Sequence, residues 1–112
     1  MQYMLFICTA SDLHLDPEDK ATIPQAVEEW AGDLERRGIR LQGHVFQPVA
    51  HAKTIRMRHG EVVIDDGPVT KSQEPIAGFN ILECGTLEEA LQVASEHPMA
   101  KFGSLELRPF AA

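Results

Sequence analysis

Two segments with helical periodicity, each lying between strand-like segments, constrain the fold more than any other feature of this sequence. In the first segment, apolar residues recur at the spacing of one helical face, and Gly38 follows them as a C-terminal cap. Pro24 disfavours a continuous helix that begins at Pro17, because proline lacks a backbone N–H and its ring crowds the preceding turn. We therefore predict a short turn at residues 17–21 and a main helix at about 23–37.

The second helical segment begins at a capping box, in which Thr86 and Glu89 can satisfy each other's backbone N–H groups. His97-Pro98 ends the segment, and a cationic histidine would be favoured at that helix C-terminus, so a structural role is expected for His97. The helical spacing predicts a buried stripe made of Leu87, Ala90, Leu91 and Ala94.

Six strand-like segments are separated by turn residues. They are QYMLFIC at 2–8, IRLQGHVFQ at 39–47, KTIRMR at 53–58, EVVID at 61–65, GFNILEC at 78–84 and SLELR at 104–108. The third and fourth form a hairpin around His59-Gly60. The order is thus β-α-β, hairpin, β-α-β. With the hairpin treated as an insertion, this order predicts an α+β, ferredoxin-like split βαβ fold, and one domain over residues 1–112.

The predicted sheet is apolar on both faces, although two helices can cover only one of them. On the first strand both sides are apolar: Tyr3, Leu5 and Ile7 lie on one, and Met4, Phe6 and Cys8 on the other. An apolar face of this size needs a second cover. The simplest cover is another copy of the chain, packed about a two-fold axis, so we expect a homodimer.

The charge balance argues against several classes of protein. Ten basic residues against seventeen acidic ones give a net charge of −7, so a nucleic-acid partner is not expected. No apolar run approaches the ~20 residues that span a bilayer, and the N-terminal segment lacks a basic signal-peptide region. We therefore expect no membrane association and a cytoplasmic location.

The sequence contains no recognisable cofactor or metal motif. It has no HExxH, HxH or CxxC spacing and no glycine-rich nucleotide loop, so neither a metal nor a cofactor is expected. Cys8 and Cys84 end two strands that are antiparallel neighbours in the predicted topology. They should lie at opposite edges of the sheet, and a disulfide between them is not expected.

Residues 64–75, IDDGPVTKSQEP, contain the first candidate catalytic residue, Asp66. Asp-Gly-Pro is typical of a turn, in which aspartate caps backbone amides, glycine supplies a positive φ and proline fixes the exit. The same loop could instead present the Asp66 carboxylate to a bound molecule. Adjacent side chains on an extended segment point to opposite faces, so Asp65 and Asp66 do not form a carboxylate pair by default.

His44 is the second candidate catalytic residue. Strand alternation predicts that it shares one side of its strand with Arg40 and Gln42. In a structural role it would be a hydrogen-bonded interface histidine. In a catalytic role it would act as a general acid or base near neutral pH, oriented by Asp66 or Glu74.

Four segments together match the pattern of one family: MQYMLFI, GIRLQGHVFQP, KTIRMRHGEVVIDDGP and LEEALQVASEHPMAKFGSLELRPF. They resemble the YCII-related group, specifically the DGPF-domain proteins, over essentially the whole chain. The resemblance implies the dimeric α+β barrel. The naming motif becomes Asp66-Gly67-Pro68-Val69 here, and of the family's next residues, AETKE, only the final glutamate remains, as Glu74. YCII proteins are suggested to use a His–Asp pair with the histidine early in the first helix, but His14 precedes that helix here.

Two hypotheses of function remain open. In the first, the chain is an acid/base enzyme for a small ring or enol-type molecule, in which His44 moves a proton, Asp66 orients it, and Arg56 and Glu74 bind the substrate. Arg56 could equally project into solvent or pair with Glu61 across the hairpin. In the second, the chain is a non-catalytic regulatory dimer that binds a ligand or a partner, since the resemblance includes proteins encoded beside sigma factors.

Overall fold

The structure, a computed structural model, describes residues 1–111. Its strands and helices are β1 (Gln2–Cys8), α1 (Pro17–Arg36), β2 (Arg40–Val45), β3 (Lys53–Arg58), β4 (Glu61–Asp66), β5 (Ile76–Glu83), α2 (Leu87–Ser95) and β6 (Ser104–Pro109). Two short 3₁₀ helices, Val49–His51 and Pro98–Lys101, lie in connecting segments. Within residues 1–111, no helix is long and apolar enough to cross a membrane.

Four strands form an antiparallel sheet in the order β2-β5-β1-β6, and β3 and β4 form a separate two-stranded hairpin. The central strand β1 pairs on both sides, with Leu5 opposite Asn80 of β5 and opposite Leu107 of β6. This order is that of a split βαβ fold whose hairpin is inserted between the second and third strands of the sheet. The predicted α+β, ferredoxin-like fold is confirmed.

The hydrophobic core lies between the sheet and the two helices. Side chains alternate across a strand, so β1 buries Tyr3, Leu5 and Ile7 against the helices. Each fully buried aliphatic side chain of this kind stabilises the fold by about 1.5–3 kcal/mol. The other buried apolar residues of the core are Leu34, Ile39, Leu82, Cys84, Ala90, Val93 and Ala94.

Helix α1 is continuous from Pro17, so the predicted break before residue 23 is wrong. The N-cap is Asp16, whose side chain accepts a hydrogen bond from the backbone N–H of Asp19 at 2.8 Å. Within the first turns, the Thr22 hydroxyl donates a hydrogen bond to the Asp19 carbonyl. Pro24 lies on the exposed side of α1, and the helix continues through it.

Helix α2 begins at the predicted cap, since the Thr86 hydroxyl accepts a hydrogen bond from the Glu89 backbone N–H at 3.1 Å. The predicted buried stripe is wrong at two of its four positions. Leu87 and Leu91 are half exposed, whereas Val93 is buried with Ala90 and Ala94. The buried face of α2 is thus formed by Ala90, Val93 and Ala94, at the i, i+3, i+4 spacing of one helical face.

The side of the sheet away from the helices, which we call the open face, is covered by no helix within the described chain. It carries Met4 and Phe6 from β1 beside Phe79 and Ile81 from β5. The hairpin adds a second uncovered apolar surface, with its four residues Ile55, Met57, Val62 and Ile64 exposed on one side. The radius of gyration is 16.0 Å, against about 13 Å for a compact chain of this length, so the protomer is extended.

The two cysteines lie at opposite ends of the sheet, as the topology predicts. Cys8 ends β1 opposite Ile76, where β5 begins. Cys84 follows the far end of β5, and its backbone N–H donates to the Met1 carbonyl. Both thiols are free.

Candidate functional site

A cavity of about 320 Å³ lies between α1 and the helix-facing side of the sheet, and we call it the inner cavity. Its volume lies at the lower end of the range for sites that hold small organic molecules. Most of its wall is apolar, with a few polar side chains, which is the usual composition of such sites. The apolar wall includes Ile7, Val27, Trp30, Ala31, Phe79 and Met99.

Two glycines of adjacent strands leave the floor of the inner cavity without side chains. A Cβ atom at Gly43 would lie 2.3 Å from both the Arg40 guanidinium and the Asn80 amide oxygen. At Gly78 it would lie 2.8 Å from the carbonyl oxygen of His44. Glycine inside a strand marks such close approaches. The floor therefore has room for a polar pair that any larger residue at position 43 would displace.

Arg40 and Asn80 form that polar pair. Arg40 Nε donates to Asn80 Oδ1 at 2.7 Å, and another guanidinium N–H donates to the Glu35 carboxylate. Asn80 is 6% exposed, and the Arg40 side chain is 18% exposed. The cation is thus held at the cavity wall, with its counter-ion on the outer side.

A β-bulge turns Arg40 towards the helices, so its predicted position beside His44 is wrong. Arg40 lies opposite Leu82, and Gln42 lies opposite Ile81, which leaves Leu41 as the extra residue of β2. One extra residue reverses the alternation of side chains along a strand. Arg40 therefore faces the inner cavity, whereas Gln42 and His44 face the open side.

His97 is buried at the end of α2, with 5% of its surface exposed, and lines the inner cavity. Burial, and then the nearby Arg40 charge, lower the pKa of His97 to about 4. Its Nδ1 accepts a hydrogen bond from the Met99 backbone N–H at 3.0 Å. The imidazole is therefore neutral at pH 7 and carries its proton on Nε2. The structure thus has a neutral histidine at this helix end, where the sequence favoured a cationic one.

The Nε2–H of His97 has access to the inner cavity. Within residues 1–111, no fully buried side-chain nitrogen or oxygen lacks a hydrogen-bond partner. Nε2 makes no hydrogen bond among these residues, so it must reach accessible space, and the inner cavity is the space that His97 lines. A donor with no protein partner is thus available to a ligand.

Trp30 of α1 forms part of the wall of the inner cavity. Its indole Nε1 donates to the Val93 carbonyl of α2 at 3.1 Å, and its ring meets His97 edge to face at 4.6 Å between centroids. The indole thus contributes a rigid aromatic surface, since its only polar atom is already bonded.

A second concavity of about 750 Å³, the outer cleft, lies over the open face. The loop that contains the Asp-Gly-Pro turn forms one side of it, and Phe6, Glu106 and Arg108 form its base. Pro68 and Glu74 both line the cleft, and Glu74 accepts a hydrogen bond from the Ser104 hydroxyl. Of the four predicted site residues, Glu74 is the one that lines this cleft.

Asp66 and Arg56 lie in the hairpin and form ion pairs there. The Asp66 carboxylate, 81% exposed, pairs with Lys53 across the ladder. Arg56 pairs with Asp65, with Nη1 3.1 Å from Oδ2, and not with Glu61. The Asp-Gly-Pro turn has the geometry that its residues predict, with φ of +99° at Gly67. Neither Asp66 nor Arg56 lines the inner cavity or the outer cleft.

His44 lies on the open face, as its strand position predicts relative to Gln42. Its ring is 5.8 Å from the Phe79 ring, and its Nε2 is 3.5 Å from Nε2 of Gln42. Through β2 the residue also contributes to the rim of the inner cavity. Within the described chain, no hydrogen bond or ion pair joins it to Asp66 or Glu74, so the predicted proton-transfer group is not assembled in the protomer.

Three residues of the inner cavity were not predicted as site residues from the sequence: Arg40, Asn80 and His97. A signal for them was present, because Gly43 and Gly78 interrupt two strands that otherwise carry side chains suited to a sheet. An asparagine within the buried strand segment GFNILEC was a further signal, since a buried amide requires a partner.

Comparison with known proteins gives a family and a fold. The family model of the YCII-related domain matches residues 1–111. The curated "Uncharacterized protein R00369" of Rhizobium meliloti (strain 1021) is 38% identical over 66 residues, which are 57% of this chain and 53% of that protein. The chain thus spans about half the length of the curated relative that it matches.

One solved structure shares the fold over nearly the whole chain. It is 5-chloro-2-hydroxyhydroquinone dehydrochlorinase from Burkholderia phenoliruptrix AC1100, in complex with 2,5-dihydroxybenzoquinone. The TM-score is 0.51 at 13% sequence identity, and the match covers 99% of this chain and 94% of that chain. At this identity the likeness extends to the fold and not to individual site residues.

Proposed function

The chain belongs to the YCII-related domain family, and we propose that it binds a small ring-shaped or enol-type molecule in its inner cavity. The observation that carries the proposal is the convergence of three buried or nearly buried polar side chains, those of Arg40, Asn80 and His97, on a mostly apolar cavity. Apolar walls with a few convergent polar groups are typical of small-molecule sites. The dehydrochlorinase of similar fold, which binds a dihydroxybenzoquinone, supports the same class of ligand.

The same groups suit acid/base chemistry on such a molecule. A neutral N–H donor and a guanidinium can stabilise negative charge that develops on an oxygen of the ligand, and a mostly apolar wall strengthens both interactions. In this proposal Arg40 takes the substrate-binding part predicted for Arg56, and His97 replaces His44 as the histidine of the site, acting as a hydrogen-bond donor.

Trp30 provides the test, because it is the single tryptophan of the chain and lines the inner cavity. Planar ring compounds should quench its fluorescence in the natural protein. Ala31→Leu, which places a larger side chain in the cavity, should abolish the quenching. Ala21→Leu makes the same change at an exposed position of α1 and should leave the quenching intact. Equal quenching of the two variants would exclude the inner cavity as the site.

A regulatory, partner-binding function is the second candidate, and the uncovered apolar side of the hairpin favours it.

We propose a second copy of the chain as the partner for the open face, since both uncovered apolar surfaces and the extended protomer fit a homodimer. Sedimentation of the natural protein should give a mass near twice 12.4 kDa. Phe79→Ser should shift it towards the monomer, and a monomeric natural protein would contradict this part of the proposal.

A further inference from the structure

We propose that the inner cavity selects a planar ring that carries an ionised oxygen, a phenolate or an enolate, over its neutral counterpart. This inference rests on the proposed function, because it names the chemical class that the same cavity takes. Two observations support it. Arg40, Asn80 and His97 leave hydrogen-bond donors free towards the cavity, and Arg40 is positively charged.

Each of the three polar side chains presents donors, and the acceptor atoms of Asn80 and His97 each already accept one hydrogen bond. Asn80 Oδ1 accepts from Arg40 Nε at 2.7 Å, which leaves the amide N–H groups of Asn80 free of that bond. His97 Nδ1 accepts from the Met99 backbone N–H, which leaves Nε2–H. A ligand atom that meets these groups must therefore accept hydrogen bonds, as an ionised oxygen does with all its lone pairs.

Arg40 adds a positive charge to this set of donors. Its Nη2 atom lies 2.3 Å from where a Gly43 Cβ would be, so this end of the guanidinium lies over the floor of the cavity. The Glu35 carboxylate that pairs with Arg40 is about half exposed on the outer side, where water screens it. The attraction between Arg40 and an anion inside the cavity is thus only partly cancelled.

The remaining wall suits the flat, apolar body of such a ligand. Trp30 offers a ring surface, and Met99 offers an adaptable thioether. The titratable groups that face the cavity are Arg40, His97 and, at the rim, His44, with Glu35 behind Arg40. Since the pKa of His97 is lowered to about 4, its imidazole stays neutral between pH 6 and 9, and the pH dependence of binding should follow the ionisation of the ligand.

The test compares 4-nitrophenol, whose hydroxyl ionises near neutral pH, with 4-nitroanisole, in which a methyl group replaces the proton. Binding is measured by quenching of Trp30 fluorescence from pH 6 to 9. We expect the phenolate to bind at least about tenfold more tightly than the ether, since charge-assisted hydrogen bonds contribute on that order. Affinity for 4-nitrophenol should rise with pH and level off, whereas that for 4-nitroanisole should stay flat.

Variants test whether the preference for an ionised oxygen comes from Arg40. Arg40→Gln should reduce the affinity ratio to near one. Arg37→Gln removes the same charge from an exposed pair with Asp33 and should leave the ratio unchanged. Thermal melting of each variant checks folding; if Arg40→Gln does not fold, the ratio and pH profile of the natural protein decide.

The outcomes separate this inference from the proposed function. Equal affinities for the two compounds, with quenching still lost in Ala31→Leu, would overturn the selection of an ionised oxygen and leave the proposed site standing. A tenfold preference that persists in folded Arg40→Gln would overturn the assignment to Arg40. If neither compound quenched Trp30, both the selection and the proposed site would be contradicted.

Discussion

The backbone N–H of Met99 donates a hydrogen bond to Nδ1 of His97 at 3.0 Å, which fixes the buried imidazole as a neutral donor. The bond links the end of α2 to the short 3₁₀ helix Pro98–Lys101, for which His97 is the N-cap. The same residue therefore holds two elements together and presents Nε2–H to the inner cavity.

Protonation of His97 should lower the stability of the fold in mild acid. Its folded pKa, about 4, lies below the ordinary value of 6.5, so the unfolded chain binds more protons between these two pH values. Stability is therefore complete above pH 6.5 and is lost as pH falls towards 4. From pH 7.5 to pH 5 this loss should be about 2 kcal/mol, measured by urea unfolding.

His97→Gln is the control for this pH effect, because glutamine does not titrate. The variant is expected to be less stable at pH 7.5 but to lose less stability on acidification than the natural protein. Parallel losses in the two proteins would mean that other groups cause the acid sensitivity.

Gly43→Ala should destabilise the protein by about 1–3 kcal/mol, because its Cβ would lie 2.3 Å from both the Arg40 guanidinium and the Asn80 amide oxygen. Gly32→Ala is the matched change in α1, where the nearest atom, on the Arg36 side chain, lies at 3.5 Å. It should raise stability by about 0.5–1 kcal/mol, as alanine favours a helix. Thermal melts of both variants check the contrast; a harmless Gly43→Ala would show that the polar pair can move aside.

Pro24→Ala should stabilise the protein by about 1–3 kcal/mol, because it restores a backbone N–H inside the continuous helix α1 and removes the ring from the preceding turn. The gain is reduced by the greater freedom that alanine has in the unfolded chain. Pro17→Ala, at the first helical position, should change stability by less than about 1 kcal/mol. Urea unfolding followed by circular dichroism measures both, and no gain for Pro24→Ala would indicate that α1 is bent at this residue.

Asp66→Asn should have little effect on either stability or ligand binding. The carboxylate pairs with Lys53 at an exposed position of the hairpin, and exposed pairs contribute about 0–1 kcal/mol. The melting temperature and the quenching of Trp30 should both stay near their natural values. A large loss of ligand binding in this variant would restore Asp66 as a site residue and contradict the choice of the inner cavity.

The sequence predicted most of the fold, because the residues at each helix cap and each turn determine the geometry there. Thr86 caps α2, and the His59-Gly60 turn, with φ of +52° and +79°, closes the hairpin. Pro24 misled the prediction because the cap at Asp16 and the contacts along α1 outweigh one missing hydrogen bond at an exposed position.

The inner cavity could not be predicted in the same way, because distant segments form it. His97 and Arg40 are 57 positions apart in the sequence, and only the packing of α1 and α2 on the sheet brings both to one cavity. The strand pattern placed Arg40 on the wrong side, since alternation assumes that every residue of β2 has a partner. Asp66 was predicted as a catalytic residue because it begins the Asp-Gly-Pro motif. That motif specifies a turn whether or not a ligand is present.

Leu41 has no partner residue in β5. The side of the sheet on which the Arg40 charge lies therefore depends on the number of residues in β2 and not on their identity. Deleting one residue at this point would keep the arginine in the sequence but transfer its charge to the opposite side of the sheet. Two relatives can therefore be aligned arginine to arginine and still differ in whether the cation faces a ligand. A single-residue gap at this strand in a pairwise alignment would mark a change of binding chemistry, even where every neighbouring residue is identical.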